Sequence, residues 1–429
     1  MSHKKESYPA GRIAVFGAGL SGTAALRLAA SLGYKACCFD EAGGGDAMRF
    51  DADAAAAFDG FVFSPGFAAD HPWRRLAESS GKPCFSELGF AASHWRGYLC
   101  GVTGTNGKTS VTELLRGALV CAGRAAEAAG NIGRPLSELV LSAANSPETT
   151  AVCEISSFQA ELLRGLELDA LLWTNFAEDH LDRYGSAEAY FRAKAGLFSC
   201  LRPEAPVVWG EGVEAWAKHT GVELPAWKRP EKRTVDPARL QRGSPFLQSP
   251  QNRNLAIAAQ LWECWGLPES ALFEAANAFE LAPHRLRCVA EWDGVEFWDD
   301  SKATNPDAVL AALEGFELPV HWIGGGLPKG GDGPAFARAL AGGIHAAFIY
   351  GAVGDAFAGN LREEGVSAIY AKQFNDVVKA AAASALASPP AVVLLSPGFA
   401  SFDCFSNYAE RGNSFTTTVL SLKNVIMQS

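Results

Sequence analysis

A glycine-rich loop between an apolar strand and a helix constrains the fold of this chain more than any other feature. Residues 101–109 read GVTGTNGKT, after a predicted strand over Tyr98–Val102 and before a predicted helix over about Lys108–Cys121. A GK[ST] core in that setting is the signature of a P-loop, whose backbone N–H groups wrap nucleotide phosphates. Lys108 would then reach the terminal phosphates, and the Thr109 hydroxyl would bind Mg²⁺. A glycine-rich surface loop is the alternative interpretation.

A second glycine-rich loop lies near the amino terminus, where residues 17–22 read GAGLSG. It follows a predicted strand over Arg12–Phe16 and precedes a predicted helix over about Thr23–Leu32, and an acid, Asp40, stands 18 residues after its last glycine. Glycines placed in this way let the backbone approach a diphosphate at the start of a helix. Alone, the loop suggests NAD(P) binding, but a UDP-sugar is also compatible, and close packing of the turn is the structural alternative.

Two phosphate-binding loops in one chain narrow the choice of function. A dehydrogenase does not need the second loop, whereas an ATP-dependent ligase with a nucleotide-linked substrate needs both. The sequence therefore favours the ligase.

The order of predicted elements divides the chain into three α/β blocks, at 1–96, 97–281 and 282–429. Strands alternate with helices, as is typical of parallel sheets. Further elements are predicted at Lys35–Phe39, Phe61–Phe63, Thr150–Glu154, Ala170–Thr174, Val295–Asp299, Val320–Ile323, Ala346–Tyr350 and Ala391–Leu395 as strands, and at Asn254–Trp265 as a helix. A segment over about Pro203–Pro250, rich in Pro, Trp and charge, is predicted to be irregular.

Composition excludes several classes of protein. Lys and Arg number 37 against 47 Asp and Glu, and the formal charge of −10 argues against a nucleic-acid partner. No apolar stretch approaches the roughly 18 residues of a membrane span, and the amino terminus does not resemble a secretory signal. The ten cysteines form no CxxC pair, so neither a zinc ribbon nor a thioredoxin site is predicted. We expect a cytoplasmic protein with reduced thiols.

Polar residues follow the strands of the central block. EISSFQ begins at Glu154, and NFAEDHLDRY places His180 beyond the next strand. A carboxylate and an imidazole at strand ends beside a P-loop suit Mg²⁺ coordination. A structural histidine is the alternative interpretation of His180. On pattern alone, Lys194 on the following helix is interpreted as a solvated charge.

The third block carries polar motifs after its predicted strands. They read DDSKATNP from Asp299, GGGLPKGGD with one cation at Lys329, and SPGFASFD from Ser396. An acid followed by Ser, Lys, Thr and Asn can bind ribose, phosphate or carboxylate. A capped helix start is the alternative explanation for the first motif.

In this order, and over almost the whole chain, these motifs resemble those of the Mur ligase family of peptidoglycan synthesis. GTNGK is similar to the family's ATP loop, which explains why Val102 replaces the usual first glycine of a P-loop. EISSFQ, NFAEDHLDRYGS, PHR, DDSKATNP and SPGFASFDCFSNYAERGNSF are similar to signatures of the D-glutamate-adding members. The resemblance implies three α/β domains: a Rossmann-like amino-terminal domain for the UDP-linked substrate, a P-loop ATPase-like central domain, and a Rossmann-like carboxyl-terminal domain for the amino acid.

The resemblance implies an ATP-dependent ligase that adds D-glutamate to UDP-N-acetylmuramoyl-L-alanine through an acyl phosphate. Its partners would be these two substrates and ATP, without nucleic acid or membrane insertion, and it would be a monomer. Mg²⁺, as two ions, and a carbamylated Lys194 are the further cofactors implied. The alternatives are another Mur or folylpolyglutamate-type ligase, a nicotinamide-dependent oxidoreductase, and a non-catalytic nucleotide-binding module.

Carried over residue by residue, the resemblance implies several groups of site residues. The catalytic residues would be Lys108, His180 and Lys194. The metal ligands would be Thr109, Glu154, His180 and Lys194. The ATP-binding residues would be Gly104, Thr105, Asn106, Gly107, Lys108, Thr109, Asn254, Arg285 and Asp300. The residues for the UDP-linked substrate would be Gly19, Leu20, Ser21, Asp40, Glu41, Ser64, Gly66 and Asn131. The D-glutamate site would comprise His180, Lys302, Thr304, Lys329, Ser401, Phe402 and Tyr408.

The sequence departs from the family pattern at three places. PQNRN stands at 250–254 where the family often has HNxxN, so only Asn254 maps cleanly there. SPGFAS replaces the commoner SPACAS before Ser401, and Tyr408 stands where the family usually has Phe. These departures affect the adenine contact and the D-glutamate pocket.

Overall fold

A computed structural model describes residues 11–225 and 235–426 of the 429-residue chain. The first ten residues, in which no secretory signal is predicted, and residues 226–234 of the predicted irregular segment lie outside the described residues. The chain divides into two compact units. The first comprises Met1–Phe176, Glu188–Leu240 and Asn254–Ala278, and the second comprises Ala177–Ala187, Gln241–Arg253 and Phe279–Ser429.

The amino-terminal sheet has four parallel strands in the order β2–β1–β3–β4. Its strands are β1 (Arg12–Phe16), β2 (Lys35–Phe39), β3 (Gly60–Phe63) and β4 (Cys84–Ser86). Its helices are α1 (Leu20–Ser31), α2 (Ala52–Ala57), α3 (Pro72–Ser79) and α4 (Glu87–Ala92). An aromatic core that includes Phe16, Phe61 and Phe63 packs against one face. Because the strands are parallel, the GAGLSG loop, Asp40 and Ser64 follow strands that end at the same edge of the sheet.

Helix α1 begins at Leu20, three residues before the predicted start, because the last glycine of GAGLSG lies inside its first turn. A Cβ atom at Gly22 would come within 1.7 Å of the carbonyl oxygen of Gly17. Only glycine therefore permits this turn, whether or not a ligand is bound.

The central sheet has five parallel strands in the order β6–β7–β5–β8–β9. Its strands are β5 (Tyr98–Thr103), β6 (Ala125–Gly130), β7 (Thr149–Glu154), β8 (Ala170–Asn175) and β9 (Val207–Glu211). The helices along this part of the chain are α5 (Lys108–Cys121), α6 (Leu136–Val140), α7 (Leu181–Tyr184), α8 (Ala187–Ala195), α9 (Val213–Thr220), α10 (Gln251–Cys264) and α11 (Glu269–Asn277). The predicted bounds of α5 are confirmed.

Two strands of the central sheet were not predicted. Strand β6 reads AAEAAG, and alanine is a weak strand former, but all six residues pair with β7. Strand β9 and helix α9 lie inside the segment predicted to be irregular, so that prediction was wrong there. Strand β9 is defined by its pairing with β8. The sequence of this segment alone does not indicate that pairing.

The third sheet has six strands in the order β10–β11–β15–β12–β13–β14. Its strands are β10 (Arg287–Trp292), β11 (Val295–Asp299), β12 (Val320–Gly325), β13 (Ala346–Tyr350), β14 (Ser367–Tyr370) and β15 (Ala391–Leu395). Its helices are α12 (Pro306–Leu313), α13 (Gly333–Ala341), α14 (Gly354–Glu363), α15 (Phe374–Leu386) and α16 (Tyr408–Ile426). Only the unpredicted edge strand β10 is antiparallel, so the predicted α/β class is confirmed.

The cysteines agree with the expectation of reduced thiols. All ten cysteines are unpaired thiols, and burial raises the pKa of Cys100 and Cys153, which are inert core groups. In the part of the chain that the structure describes, no helix has both the length and the apolar character that crossing a bilayer requires.

A buried histidine lies on strand β12 of the third sheet. His321 is 1% exposed, and neither ring nitrogen has a hydrogen-bond partner. Burial, assisted by the nearby His345, lowers its pKa below the usual 6.5. Two desolvated nitrogens without partners destabilise the folded state.

We expect His321→Leu to raise the free energy of unfolding by about 1–2 kcal/mol, because it removes both desolvated nitrogens. The gain should be larger at pH 5 than at pH 8. Below about pH 6.5 the unfolded wild type takes up a proton that the folded wild type resists, which lowers wild-type stability. Urea unfolding at both pH values measures the effect, with the exposed His219→Leu as control. A gain that does not change with pH would contradict this account.

Candidate functional site

The predicted P-loop joins β5 to α5 and has a buried asparagine against it. Gly107 has a φ of +83°, a conformation that favours glycine. A Cβ atom there would meet the side-chain oxygen of Asn254 at 2.2 Å. Asn254 is 5% exposed, so the structure brings this predicted ATP-binding residue directly beside the loop.

The end of strand β8 fixes the shape of the loop. The backbone N–H of Thr105 donates to the carbonyl of Asn175 at 3.1 Å, and that of Asn106 donates to the Asn175 side-chain oxygen at 2.9 Å. The Thr174 hydroxyl donates to the Asn106 carbonyl at 2.6 Å. Thr174 and Asn175 were not among the predicted site residues, although their place at the carboxyl end of a strand beside a P-loop could have indicated them.

Two lysine ammonium groups meet at one carbonyl of the loop. Lys108 Nζ lies 3.0 Å from the Gly104 oxygen and 2.8 Å from the Thr105 oxygen. Lys194 Nζ lies 2.8 Å from the same Gly104 oxygen and 4.9 Å from the centre of the Tyr190 ring. Lys194 is 1% exposed, so the interpretation as a solvated charge is wrong. Two cations at a glycine-rich loop suit a polyanionic ligand.

A carboxylate lies beside Thr109, the second residue of helix α5. The Thr109 hydroxyl donates to Glu154 Oε2 at 2.6 Å, and the Asn131 side-chain amide donates to Glu154 Oε1 at 2.9 Å. Within residues 11–225 and 235–426, no three His, Cys, Asp or Glu side chains form a metal site by themselves. Mg²⁺ commonly takes one or two carboxylates together with phosphate and water, so the oxygen donors of Glu154 and Thr109 fit it.

The carboxylate of Asp40 supports the GAGLSG loop. Asp40 Oδ2 accepts the backbone N–H of Ala18 at 2.7 Å, and Oδ1 accepts that of Ala42 at 2.8 Å. The bond from Ala18 is the largest influence that lowers the pKa of Asp40. The residues Gly19–Ser21, which are predicted to bind the UDP-linked substrate, directly follow Ala18 in the loop. The side chain of Leu20 is exposed.

The remaining predicted residues of the UDP group differ in exposure. Glu41 is exposed, and its carboxylate lies 3.5 Å from Nε2 of His71. Gly66 is exposed, but the hydroxyl of Ser64 is buried and faces the backbone of Gly17. The Ser64 side chain therefore packs beneath the glycine loop.

In the second unit, a buried aspartate lies in one polar cluster with three of the residues predicted to bind D-glutamate. Asp179 Oδ1 lies 3.1 Å from Lys329 Nζ and accepts the backbone N–H of His180 at 2.8 Å. Lys329 Nζ also lies 3.3 Å from the Thr304 hydroxyl. Burial acts to raise the pKa of Asp179, but Lys329 and His180 outweigh it and lower that pKa. Asp179 was not predicted as a site residue, although it precedes His180 directly.

A second contact of Asp179 extends this cluster. Asp179 Oδ2 accepts the side-chain amide of Asn305 at 3.2 Å, and the Asn305 side chain also caps helix α12 through the N–H of Ala308. The capped helix start that the DDSKATNP motif allows is therefore present, and it coexists with the polar cluster.

Two of the other residues predicted to bind D-glutamate, Ser401 and Phe402, lie at the end of a loop that pairs with the loop of Lys329. Leu327 and Ala400 exchange backbone hydrogen bonds of 2.8 and 3.0 Å, which join the loop of Lys329 to the SPGFAS loop. Ser401 is buried and Phe402 is 71% exposed. Separately, Lys302 Nζ lies 3.7 Å from the centre of the Tyr408 ring, so the tyrosine that replaces phenylalanine contacts a cation.

Asp300 and Arg285 are the two ATP-binding residues predicted in the third block, and Asp300 accepts the backbone N–H of the residue that follows Arg285. Asp300 Oδ2 accepts the Ser396 hydroxyl at 2.9 Å, and Oδ1 accepts the backbone N–H of Leu286 at 3.1 Å. Burial raises the pKa of Asp300 to about 7, against the lowering effect of these hydrogen bonds and of Arg285.

We expect Asp300→Asn to be at least about 1 kcal/mol more stable than the wild type at pH 8 and equally stable at pH 4. The wild-type folded state keeps a proton on Asp300 up to about pH 7, whereas the unfolded state releases it near pH 4. Wild-type stability therefore falls as the pH rises from 4 to 7. Urea unfolding without ligands measures the difference, and the exposed Asp293→Asn should show no such trend. A constant difference at all pH values would contradict the assignment.

Comparisons with known proteins match the region of the P-loop and also almost the whole chain. Residues 102–228 match the family model of the Mur ligase middle domain. The chain is 35% identical to the UDP-N-acetylmuramoylalanine–D-glutamate ligase of Gloeobacter violaceus, over 96% of this chain and 99% of that protein. It is 36% identical to the ligase of the same name from Anaeromyxobacter dehalogenans, over 94% of this chain and 96% of that protein.

Solved structures share the fold at lower identity. The UDP-N-acetylmuramate-alanine ligase MurC from Thermotoga maritima has a TM-score of 0.58 at 18% identity, and the match covers 96% of this chain and 99% of that one. The folylpolyglutamate synthase of Mycobacterium tuberculosis, complexed with ADP, has a TM-score of 0.54 at 16% identity, over 77% of this chain and 92% of that one. These similarities confirm the predicted fold.

Proposed function

This chain belongs to the UDP-N-acetylmuramoylalanine–D-glutamate ligases of the Mur ligase family, and from that membership we propose its reaction and its site. It is an ATP-dependent ligase of peptidoglycan synthesis that adds D-glutamate to UDP-N-acetylmuramoyl-L-alanine. The observation that carries the proposal is the 35% identity over almost the full length of both chains. A nicotinamide-dependent oxidoreductase, a non-catalytic nucleotide-binding module, and another Mur or folylpolyglutamate-type ligase are not favoured.

The first step activates a carboxylate, which is a poor electrophile. The carboxylate of the L-alanyl group attacks the γ-phosphorus of ATP, the bond to the β-phosphate oxygen breaks, and an acyl phosphate and ADP form. Lys108 and the backbone N–H groups of the P-loop are proposed to stabilise the charge on the transferring phosphoryl group. The Lys108 ammonium lies on the Gly104 and Thr105 carbonyls, so it must turn toward the phosphate.

The second step forms the amide bond. The deprotonated amine of D-glutamate attacks the acyl-phosphate carbonyl, phosphate leaves from the tetrahedral intermediate, and the nitrogen releases one proton to solvent as the amide forms. D-Glutamate carries two carboxylates, so cations suit its binding site. The residues proposed to bind it are His180, Lys302, Thr304, Lys329, Ser401, Phe402 and Tyr408. Lys329 is held by Asp179 and lies beside Thr304, which supports a shared role for these two residues.

The UDP-linked substrate is proposed to bind at the carboxyl edge of the amino-terminal sheet. The proposed residues are Gly19, Leu20, Ser21, Asp40, Glu41, Ser64, Gly66 and Asn131. The bonds of Asp40 to the loop support an indirect role for its carboxylate, whereas Glu41 is exposed and available to a ligand. The side chain of Asn131 contacts Glu154 beside the P-loop. This contact supports a role for Asn131 near the carboxylate of the L-alanyl group of the substrate.

The proposed ATP-binding residues beyond the loop are Asn254, Arg285 and Asp300. Mg²⁺ is proposed to be held by Thr109 and Glu154, with His180 and a modified Lys194 as further ligands. When bound, it would neutralise charge on the ATP phosphates. Carbamylation of Lys194 by CO₂ would replace an ammonium with a carboxylate and so supply a further oxygen ligand. Three domains, at 1–96, 97–281 and 282–429, and a monomeric state complete the proposal.

Phosphate release with a single varied substrate tests the proposed function. Purified protein is given ATP, Mg²⁺ and UDP-N-acetylmuramoyl-L-alanine, and then D-glutamate, L-alanine, L-lysine or diaminopimelate. Only D-glutamate should release phosphate and yield the longer UDP-linked product. Turnover with UDP-N-acetylmuramate and L-alanine, or with a folate and L-glutamate, would instead assign one of the sister ligases.

A further inference from the structure

A buried arginine on helix α3 connects the two sheets of the first unit. Arg74 is 4% exposed. Its Nη1 donates to Glu161 Oε2 at 2.7 Å and to the Phe67 carbonyl at 3.2 Å, and its Nε donates to Glu78 Oε1 at 3.0 Å. The Glu161 side chain is 9% exposed, so the pair is nearly removed from solvent.

On one side, Arg74 holds the turn that follows strand β3. The backbone N–H of Phe67 donates to the Ser64 carbonyl at 3.2 Å, and the Ser64 N–H donates to the Phe16 carbonyl at 3.0 Å. The turn Ser64–Phe67 therefore has its first residue fixed to β1 and its last residue fixed to Arg74. This turn includes Gly66, which the proposed function places against the UDP-linked substrate.

On the other side, Glu161 belongs to the segment that follows β7 and begins beside the P-loop. Glu154, at the end of β7, accepts the hydroxyl of Thr109. Between Glu154 and Glu161, the Gln159 side-chain oxygen accepts the Ser156 N–H at 3.0 Å and the Ser156 hydroxyl at 3.1 Å, and Gln159 is 2% exposed. A short 3₁₀ turn over Gln159–Glu161 then presents the carboxylate to Arg74.

Stability alone is a weak explanation for this arrangement. A buried ion pair gains little over apolar residues of similar volume, because both charges lose their hydration. A planar guanidinium, in contrast, holds several acceptors at fixed angles, which fits a role in orientation. Here its acceptors come from the turn after β3 and from the segment after β7.

We propose that Arg74 is a positioning residue for the UDP-linked substrate. It fixes the turn Ser64–Phe67 relative to the segment that carries Glu154, so that a substrate bound at the turn presents its carboxylate toward the P-loop. The inference rests on the proposed function, because that function places the UDP-linked substrate at this turn.

The test uses the double variant Arg74→Met/Glu161→Leu in the full chain, with Arg75→Met as control. Arg75 is the exposed neighbour on the same helix. Arg74→Met alone leaves Glu161 buried without the guanidinium and is expected to lower stability. The double variant removes both charges and should restore the urea midpoint, but neither new side chain can hold the Phe67 carbonyl.

We expect the double variant to raise the KM for UDP-N-acetylmuramoyl-L-alanine about tenfold, with the KM values for ATP and D-glutamate within about twofold of wild type. Calorimetric titration with UDP-N-acetylmuramoyl-L-alanine alone should give a similar loss of affinity without any turnover. Arg75→Met should match the wild type in both assays.

Two results would overturn the inference while leaving the proposed function in place. One is a stable double variant that binds the UDP-linked substrate as tightly as Arg75→Met. The other is a rise in all three KM values that follows the loss of stability from variant to variant, which a merely structural role would produce. A wild type that does not bind UDP-N-acetylmuramoyl-L-alanine would overturn the proposed function and the inference together.

Discussion

Lys108→Ala should reduce acyl-phosphate formation by at least about a thousandfold. Lys108 is the first residue of helix α5, and its ammonium lies within 3.0 Å of the Gly104 and Thr105 carbonyls. From that position a rotation of the side chain would bring the charge to a phosphate held by the loop amides, as the proposed function requires. A methyl group would reach neither the loop nor the phosphate, so the charge that builds up during transfer would lose a stabilising cation.

The measurement separates chemistry from binding. ADP release is followed with UDP-N-acetylmuramoyl-L-alanine and D-glutamate present, and hydroxylamine traps the acyl phosphate. Lys218→Ala, an exposed lysine of helix α9, is the matched control and should retain full activity. Undiminished affinity of Lys108→Ala for the UDP-linked substrate would show that the variant is folded. Turnover within tenfold of the wild type would contradict the assigned role.

Local sequence pattern predicted much of the fold, because its signals lie within each element. The strands β13 and β15 are short apolar runs bounded by polar or turn residues, and their predicted bounds are those of the structure. The predicted bounds of β11, in which polar and apolar residues mix, also match the structure. Strands β4, β6, β9, β10 and β14 were missed. Each lies at an edge of its sheet, where pairing with one neighbour defines the strand. In β6, β10 and β14, half-exposed residues give no continuous apolar run, whereas β9 begins with the buried residues VVW.

Some residues of the candidate site could likewise be predicted from the sequence, and others could not. Motif residues such as Thr109 and Glu154 could be proposed from spacing, and their contact joins residues 45 positions apart because parallel strands end at one edge. Asp179 and Arg74 could not be assigned roles from the sequence. Their side chains contact residues 150 and 87 positions away, and the sequence alone does not show such contacts.

Lys194→Ala should lower turnover by at least about a hundredfold, and acetate should restore part of it. Lys194 is buried beside the P-loop, with its ammonium 2.8 Å from the Gly104 carbonyl. Alanine would leave a space of the size of the lysine stem next to the phosphates. If the working group there is a carbamate, a small carboxylate can replace its charge and its oxygen atoms. If the working group is the ammonium itself, a small amine should replace it.

The choice of additive therefore identifies the group at position 194. Turnover of Lys194→Ala is measured with increasing acetate, with increasing methylammonium, and with a chloride salt at matched ionic strength. Rescue by acetate alone supports carbamylation, because an anion would then be needed where the unmodified side chain carries a cation. Rescue by methylammonium alone, or unimpaired activity without any additive, would remove the carbamate from the proposal. Lys108→Ala serves as the control that acetate should not rescue, since the charge missing at that position is positive in either case.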